Sequence, residues 1–298
     1  MAHWNRSSVV KRELEALVDA GLLRPLTEAR EWLVPGSETT PAPPPGYVVS
    51  FIPFHERGVG TPAHDFFRAL LDFYEAELHH LNPNGIQQIS TFIALCEGFL
   101  GVAPCMDLWR YYYTASLYRR RAGNDMVPVD IGSVGIHLRA TRAMEYIAST
   151  TPSTNQGWHQ RWFYLRNDPG HPLPTFSGRV IEVQSEHWKW GVAKNSKEGV
   201  EHALEAIVAL KDLGLSAAVV VGSYHHRRYA PLMARSIPMF RVEPATRVVG
   251  DTVMAAQLLD DDEVSRRMKM ALGSSAPSWP IAGSPQMLPG PGAVDVVS

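Results

Sequence analysis

The 298-residue chain is 45% hydrophobic and 19% charged, with a formal net charge of -2. This composition describes a globular protein able to bury a core, and it gives no global attraction to nucleic acid or an anionic membrane. Two cysteines, Cys96 and Cys105, are too few for a disulfide framework or a four-cysteine zinc site. No apolar run reaches the roughly 20 residues of a membrane-spanning helix, and the N-terminus lacks the apolar core of a signal peptide. A soluble intracellular protein without membrane contact is expected, in nucleus or cytoplasm.

Taken in chain order, VVKRELEALVDAGLL places Val10, Leu14, Leu17 and Val18 at helical spacing. Ser7 or Ser8 is the expected cap and Gly21 the stop. The pattern LEALVDAGLLRPL is also the kind found in the middle of a winged helix-turn-helix, a packing helix being the blander alternative. Residues 1–34 thus read as an N-terminal helical segment. The prolines of PGSETTPAPPPG mark 35–46 as a linker, because they remove backbone donors and favour extended chain.

A globular domain is expected over 47–245. YVVSFIPF is β-branched and aromatic, a short strand or extended lead-in. TPAHDFFRALLDFYEAEL predicts a helix capped by Thr61 with Pro62 in its first turn. LNPNG breaks it, and IQQISTFIALCEGFLG predicts a second helix from Asn84. Ile86, Ile89, Ile93 and Leu100 line one face, flanked by Phe92 and Cys96, with Phe66, Leu70 and Phe73 opposite. CMDLWRYYYTASLYR predicts a third helix and 124–135 a loop. GIHLRA and GWHQRWFYLRND look like strands of a small sheet. SKEGVEHALEAIVALKDLGLS predicts a helix ended by Gly214, and Ser216 caps a further one through AAVVVGSYHHRRYAPLMAR. The expected fold is therefore mainly α, a helical globular domain with a small β element, hairpin or short sheet, in the 135–190 region. A short helix at 246–272 and a disordered Pro/Gly/Ser tail at 273–298 complete the chain.

The stretch ELHHLNPNGIQQISTFIALCEGFLG concentrates His79, His80, Cys96 and two glutamates. A zinc site needs ligands converging at 2.0–2.3 Å. Adjacent histidines on a helix point about 100° apart, and Cys96 and Cys105 lack CxxC spacing. A site from His55, His79 and Cys96 would need a tertiary coincidence. The histidines are therefore expected to be structural, with His80 facing solvent near a helix end, and Cys96 to pack as a small hydrophobe. There is no GxSxG elbow, no Walker loop and no dinucleotide fingerprint. The aspartates of LLDDDEV read as a solvated helix start. No catalytic residue, metal or cofactor is expected, and the chain reads as no enzyme.

Polyanion contact would have to use Arg119–Arg121 or the group His225, His226, Arg227, Arg228 and Arg235. On one helix Arg228 and Arg235 share a face, so Arg227, Arg228 and Arg235 are candidate nucleic-acid contacts. Trp158, Trp162, Trp188 and Trp190 could stack on bases or, more simply, fill a core.

The blocks VSFIPFHERGVGTPAHDFFRALLDFYEAELHHLNPNGIQQISTFIALCEGFLG, DLWRYYY, NQGWHQRWFYLRND, LPTFSGRV, WKWGVAK and YHHRRYAPLMARSIPMF follow one another in order. Together with LEALVDAGLLRPL and EWLVPG they resemble the gypsy-type transposon domain family of plants, common in grass genomes. The likeness spans roughly Ser7 to Val242. What the resemblance implies is a retrotransposon-derived, non-enzymatic domain, gag-like in being structural or interacting, with no established catalytic residue to transfer. Protein partners or self-association would suit it. The alternative is a DNA- or RNA-binding protein using a local basic helix face.

Overall fold

The computed structural model describes residues 3–27, 30–149, 155–192 and 200–224. Helix α1 spans Lys11–Asp19, with Leu14 and Leu17 buried. Its start differs from expectation. The Glu13 carboxylate accepts from the Val10 N–H at 3.0 Å, while the Ser7 hydroxyl accepts from Val9 N at 3.1 Å and donates to the Trp162 carbonyl. Ser7 therefore ties the N-terminal segment to a strand 155 residues away.

That strand, β7 (Trp162–Arg166), is the centre of an antiparallel sheet, β1-β7-β2, flanked by β1 (Trp32–Leu33) and β2 (Tyr47–Phe51). Register pairs Trp32 with Leu165, and Val49 with Tyr164. Both neighbours of β7 thus come from the first 51 residues, and residues 35–46 join them along the sheet. Tyr164 holds this connection, donating its hydroxyl to Glu38 at 2.8 Å and accepting from Ala42 N at 3.0 Å. Val48, Val49, Ser50 and Phe51 are all buried, so β2 is covered on both faces rather than alternating.

After the short helix α2 (Ile52–His55) comes α3 (Asp65–Phe73). The α3 cap is His64, whose Nδ1 accepts from Phe66 N at 3.0 Å. Thr61, the expected cap, lies three residues before His64. Helix α4 (Pro83–Leu95) is capped by the Asn82 side chain accepting from Gly85 N at 2.8 Å. Nearly all of α4 is buried, polar Gln87, Gln88, Ser90 and Thr91 included, as expected of a central helix. It runs into one π-helical stretch, Cys96–Leu100, closed by Gly101 at φ 71°. The facing aromatics of α3 and α4 meet directly: Phe66 and Phe92 lie 5.4 Å apart, with Trp109 against both.

The expectation of a mainly α fold is corrected here: the architecture is mixed α/β, with seven strands in three sheets among the described residues. The third aromatic helix stops early. Helix α5 is Met106–Tyr112, and at Tyr113 the chain turns extended into β3 (Tyr113–Leu117). The expected loop at 124–135 contains β5 (Asp125–Pro128), which pairs with β4 (Arg119–Ala122), and β3 pairs with β6 (Val134–Leu138). Together they form one long antiparallel arm, its root β3–β6 on α4 and its tip β4–β5 projecting. At the end of the tip Gly123 takes φ +63°, the first central position of a two-residue hairpin turn, where only glycine is unstrained.

Helices α6 (Glu201–Asp212) and α7 (Ala217–Tyr224) complete the described fold. Gly214 ends the first at φ 95°, and the Ser216 hydroxyl accepts from Val219 N at 3.4 Å at the start of the second. Helix α7 lies against α4. Buried apolar side chains from Val9 to Val220 form one cluster. The predicted continuation of the last helix, the short helix at 246–272 and the tail at 273–298 lie outside the described residues. Among the described residues no helix is long and apolar enough to cross a membrane.

Candidate nucleic-acid interface

Of the basic groups singled out in the sequence, Arg119–Arg121 is described; Arg227, Arg228 and Arg235 lie outside the described residues. The three arginines form strand β4 on the projecting tip, paired across with Pro128, Val127 and Met126. None of these partners is acidic. Strand alternation puts Arg119 and Arg121 on one face and Arg120 on the other, and the first and third are exposed. Arg119 donates to the carbonyls of Met126, at 3.5 Å, and Glu182. Among the described residues no carboxylate forms an ion pair with any of the three. The charge of the exposed Arg119 and Arg121 is left to solvent or to an external anion, and Asp125, opposite Ala122, is the sole acid on the tip.

The other helix considered for DNA, α1, carries Lys11 and Arg12 against Glu13, Glu15 and Asp19. Its Lys11 is paired with Glu15 at 3.1 Å, so its exposed face offers no excess of positive charge. The tryptophans divide. Trp162 and Trp188 are fully buried, and Trp158 packs on Phe51 and Phe54 with centroids 4.9 and 5.5 Å away. Trp190 is 57% exposed.

Where the arm leaves the body, Tyr118 and His137 face each other across its root. The His137 Nε2 lies 2.8 Å from the Ser116 hydroxyl and 3.2 Å from that of Tyr118. Burial pushes the His137 imidazole below its ordinary pKa, favouring the uncharged ring. Tyr118 lies across Gly135: a Cβ there would collide with the phenol ring, so the ring's position depends on that glycine.

The histidine-rich stretch proves to be buried framework, and one expectation about it is corrected. His80 does not face solvent; it is 0% exposed. Its Nδ1 accepts from Glu77 N at 2.9 Å and its Nε2 donates to the Arg179 carbonyl at 2.9 Å. Because an N–H can only donate and a carbonyl only accept, these bonds define one neutral tautomer. His79 donates to the same carbonyl at 3.3 Å. The buried Glu77 carboxylate accepts from Ser177 N at 2.8 Å, from the Ser177 hydroxyl, and from Arg179 Nε at 3.3 Å. These groups clamp the 177–179 segment against the turn before α4. Desolvation pushes both histidines below their ordinary pKa, His79 the further.

His55 bonds instead to Ser50, Nε2 to Oγ at 2.9 Å, and Cys96 is buried with its thiol pKa pushed well up by desolvation. A second buried pair joins His64 Nε2 to Glu97 Oε1 at 2.7 Å, inside the π-helical stretch. Among the described residues no group of three or more His, Cys, Asp or Glu could hold a metal ion. Sequence reasoning missed both the tip hairpin and the buried clamp. The hairpin had a local signal, Gly123-Asn124 between two short runs; the clamp, joining residues about 100 apart, had none.

No curated protein and no solved structure matches the chain. Residues 48–117, from β2 to the end of β3, match the Transposase_28 family model, described as a gypsy type transposon. The arginine tip begins just beyond the matched segment.

Proposed function

We propose that this protein is a retrotransposon-derived, non-enzymatic interaction module, gag-like in role, that acts inside the cell and contacts nucleic acid through the β4–β5 tip. The match of residues 48–117 to a gypsy type transposon family carries the derivation. The nucleic-acid contact is supported by Arg119–Arg121, a run of positive charge on a projecting two-stranded ribbon with no carboxylate partner among the described residues. A ribbon of this kind lays its side chains along a backbone without reorganising the core behind it. Arg227, Arg228 and Arg235, which lie outside the described residues, stay candidate contacts beside the arm.

Size-exclusion chromatography with light scattering, with and without single- and double-stranded oligonucleotides, tests the reading. Association with nucleic acid should weaken as salt rises, because each phosphate contact releases counterions. Replacing Arg119, Arg120 and Arg121 together by serine should flatten the log–log salt dependence by up to about 2, at roughly 0.7 per contact for single strands. A strictly monomeric protein that ignores nucleic acid at low salt would remove the proposal.

A further inference from the structure

Between the root of the arm and the first turns of α4 lies a cleft of about 380 Å³. Its walls are Asn82, Asn84, Gln88 and Asn155, with Tyr118 and His137 on the arm side. Four carboxamides and an imidazole make this a polar site, with no carboxylate, lysine or arginine in its lining. The amides are held by the fold. Gln88 Oε1 accepts from the Tyr113 hydroxyl at 3.1 Å, which leaves its amide NH₂ without a hydrogen bond among the described residues. Asn155 accepts from the Arg57 guanidinium at 2.9 Å and donates to Asn84 Oδ1 at 2.9 Å. The imidazole of His137, with Nε2 on the two hydroxyls, keeps Nδ1 unbonded among the described residues.

The asparagines are engaged by the fold, so the polar groups the cleft offers to the edge of a base are the Gln88 NH₂, a donor, and the His137 Nδ1. Tyr118, 42% exposed, supplies an aromatic ring at the mouth. The next residue is Arg119, so the arginine strand begins immediately after the ring that walls the cleft. A base inside a duplex cannot enter such a cleft, whereas an unpaired one can turn out, stack and be bonded on its edge.

We propose that this cleft is a base-binding pocket for single-stranded nucleic acid whose phosphates lie along β4. Tyr118 stacks on the base, Gln88 and His137 bond its edge, and Arg119 and Arg121 hold the flanking backbone. The inference rests on the nucleic-acid reading above and adds a substrate class, an unpaired strand read at one base.

The test is fluorescence anisotropy of the full chain with labelled homopolymers of each base, against Tyr118→Ala, Gln88→Met and the Arg119/Arg121 double serine variant. Circular dichroism checks that each variant folds. Wild type should bind single strands more tightly than duplex and rank the homopolymers. Tyr118→Ala should weaken binding by about tenfold, within the range for a lost base stack. Gln88→Met should level the ranking while leaving the salt dependence intact. The arginine variant should weaken all homopolymers alike and flatten the salt dependence. If both cleft variants keep wild-type affinity and ranking while the arginine variant weakens binding, the pocket is wrong and the interface stands. If the arginine variant binds as wild type, the interface reading falls. A free mononucleotide that competes as well as the homopolymer would overturn the polymer assignment.

Discussion

Replacing His80 by alanine tests the buried clamp most directly. The side chain is 0% exposed and bridges the Glu77 N–H and the Arg179 carbonyl, each at 2.9 Å. Alanine leaves the buried N–H without its partner and removes one of two donors from the carbonyl, which retains His79 at 3.3 Å. An orphaned buried donor costs about 1–3 kcal/mol, and the lost ring leaves a cavity costing on the order of 1–2 kcal/mol more. The expected loss is about 2–5 kcal/mol, read from urea unfolding monitored by tryptophan fluorescence. The pH dependence follows from the same geometry. Folded-state pKa values of His79 and His80 are depressed, so both fold as neutral rings. Their stabilising contribution is fully present above the unfolded-state value near 6.5 and is lost as pH falls through it toward the lower folded values. Each histidine can add a slope of up to about 1.4 kcal/mol per pH unit in that window. The wild type should therefore weaken steadily from pH 6.5 downward, and His80→Ala should weaken less steeply. A His80→Ala protein within about 0.5 kcal/mol of wild type at pH 7.5, with an unchanged acid slope, would refute the reasoning.

Ile93→Ala, at a fully buried site on α4, should cost about 2–5 kcal/mol, and Cys96→Ala only on the order of 1 kcal/mol, since a small group leaves a small cavity. Thermal melts of both with and without a chelator should coincide; a chelator-dependent melting temperature would contradict the reading of these residues as packing groups. Glu97→Ala removes the acceptor of the buried His64 Nε2 and should lower stability by about 1–3 kcal/mol, visible as a shifted urea midpoint. Gly132→Ala should be destabilising by about 1–3 kcal/mol, because Gly132 sits at φ +70° and a Cβ there would lie 2.8 Å from the Trp158 ring. A neutral outcome would mean that Trp158 yields at no cost.

How far the fold could be read from sequence depended on the range of the interactions. The amphipathic helices α1, α3, α4 and α6 were legible because three- and four-residue spacing is local and marks the buried face. So was the strand character of β2 and β7, which is aromatic and β-branched. The switch from α5 to β3 was not. Tyr111, Tyr112 and Tyr113 carry no change of pattern, and extension at Tyr113 is favoured by its pairing with Leu138, 25 residues later. The mixed architecture therefore emerged only with strand pairing. Charge behaved likewise: the run Arg119–Arg121 was plain in the sequence, but its display on a projecting ribbon without acidic partners depended on the β4–β5 register.

The sequence by itself determined the near-neutral charge, the buried helical stripes and the resemblance that the family match over 48–117 supports in part. Tertiary structure alone decided the fate of His80. A histidine beside a helix start is polar enough to face water, and its one local partner, the Glu77 N–H, satisfies only one ring nitrogen. Burial became favourable because the 177–179 segment, some 100 residues away, brought a carbonyl to its Nε2 and enclosed Glu77 with Ser177 and Arg179. A buried polar group is stable only where its partners are supplied, and here the fold brings them from a distant part of the chain.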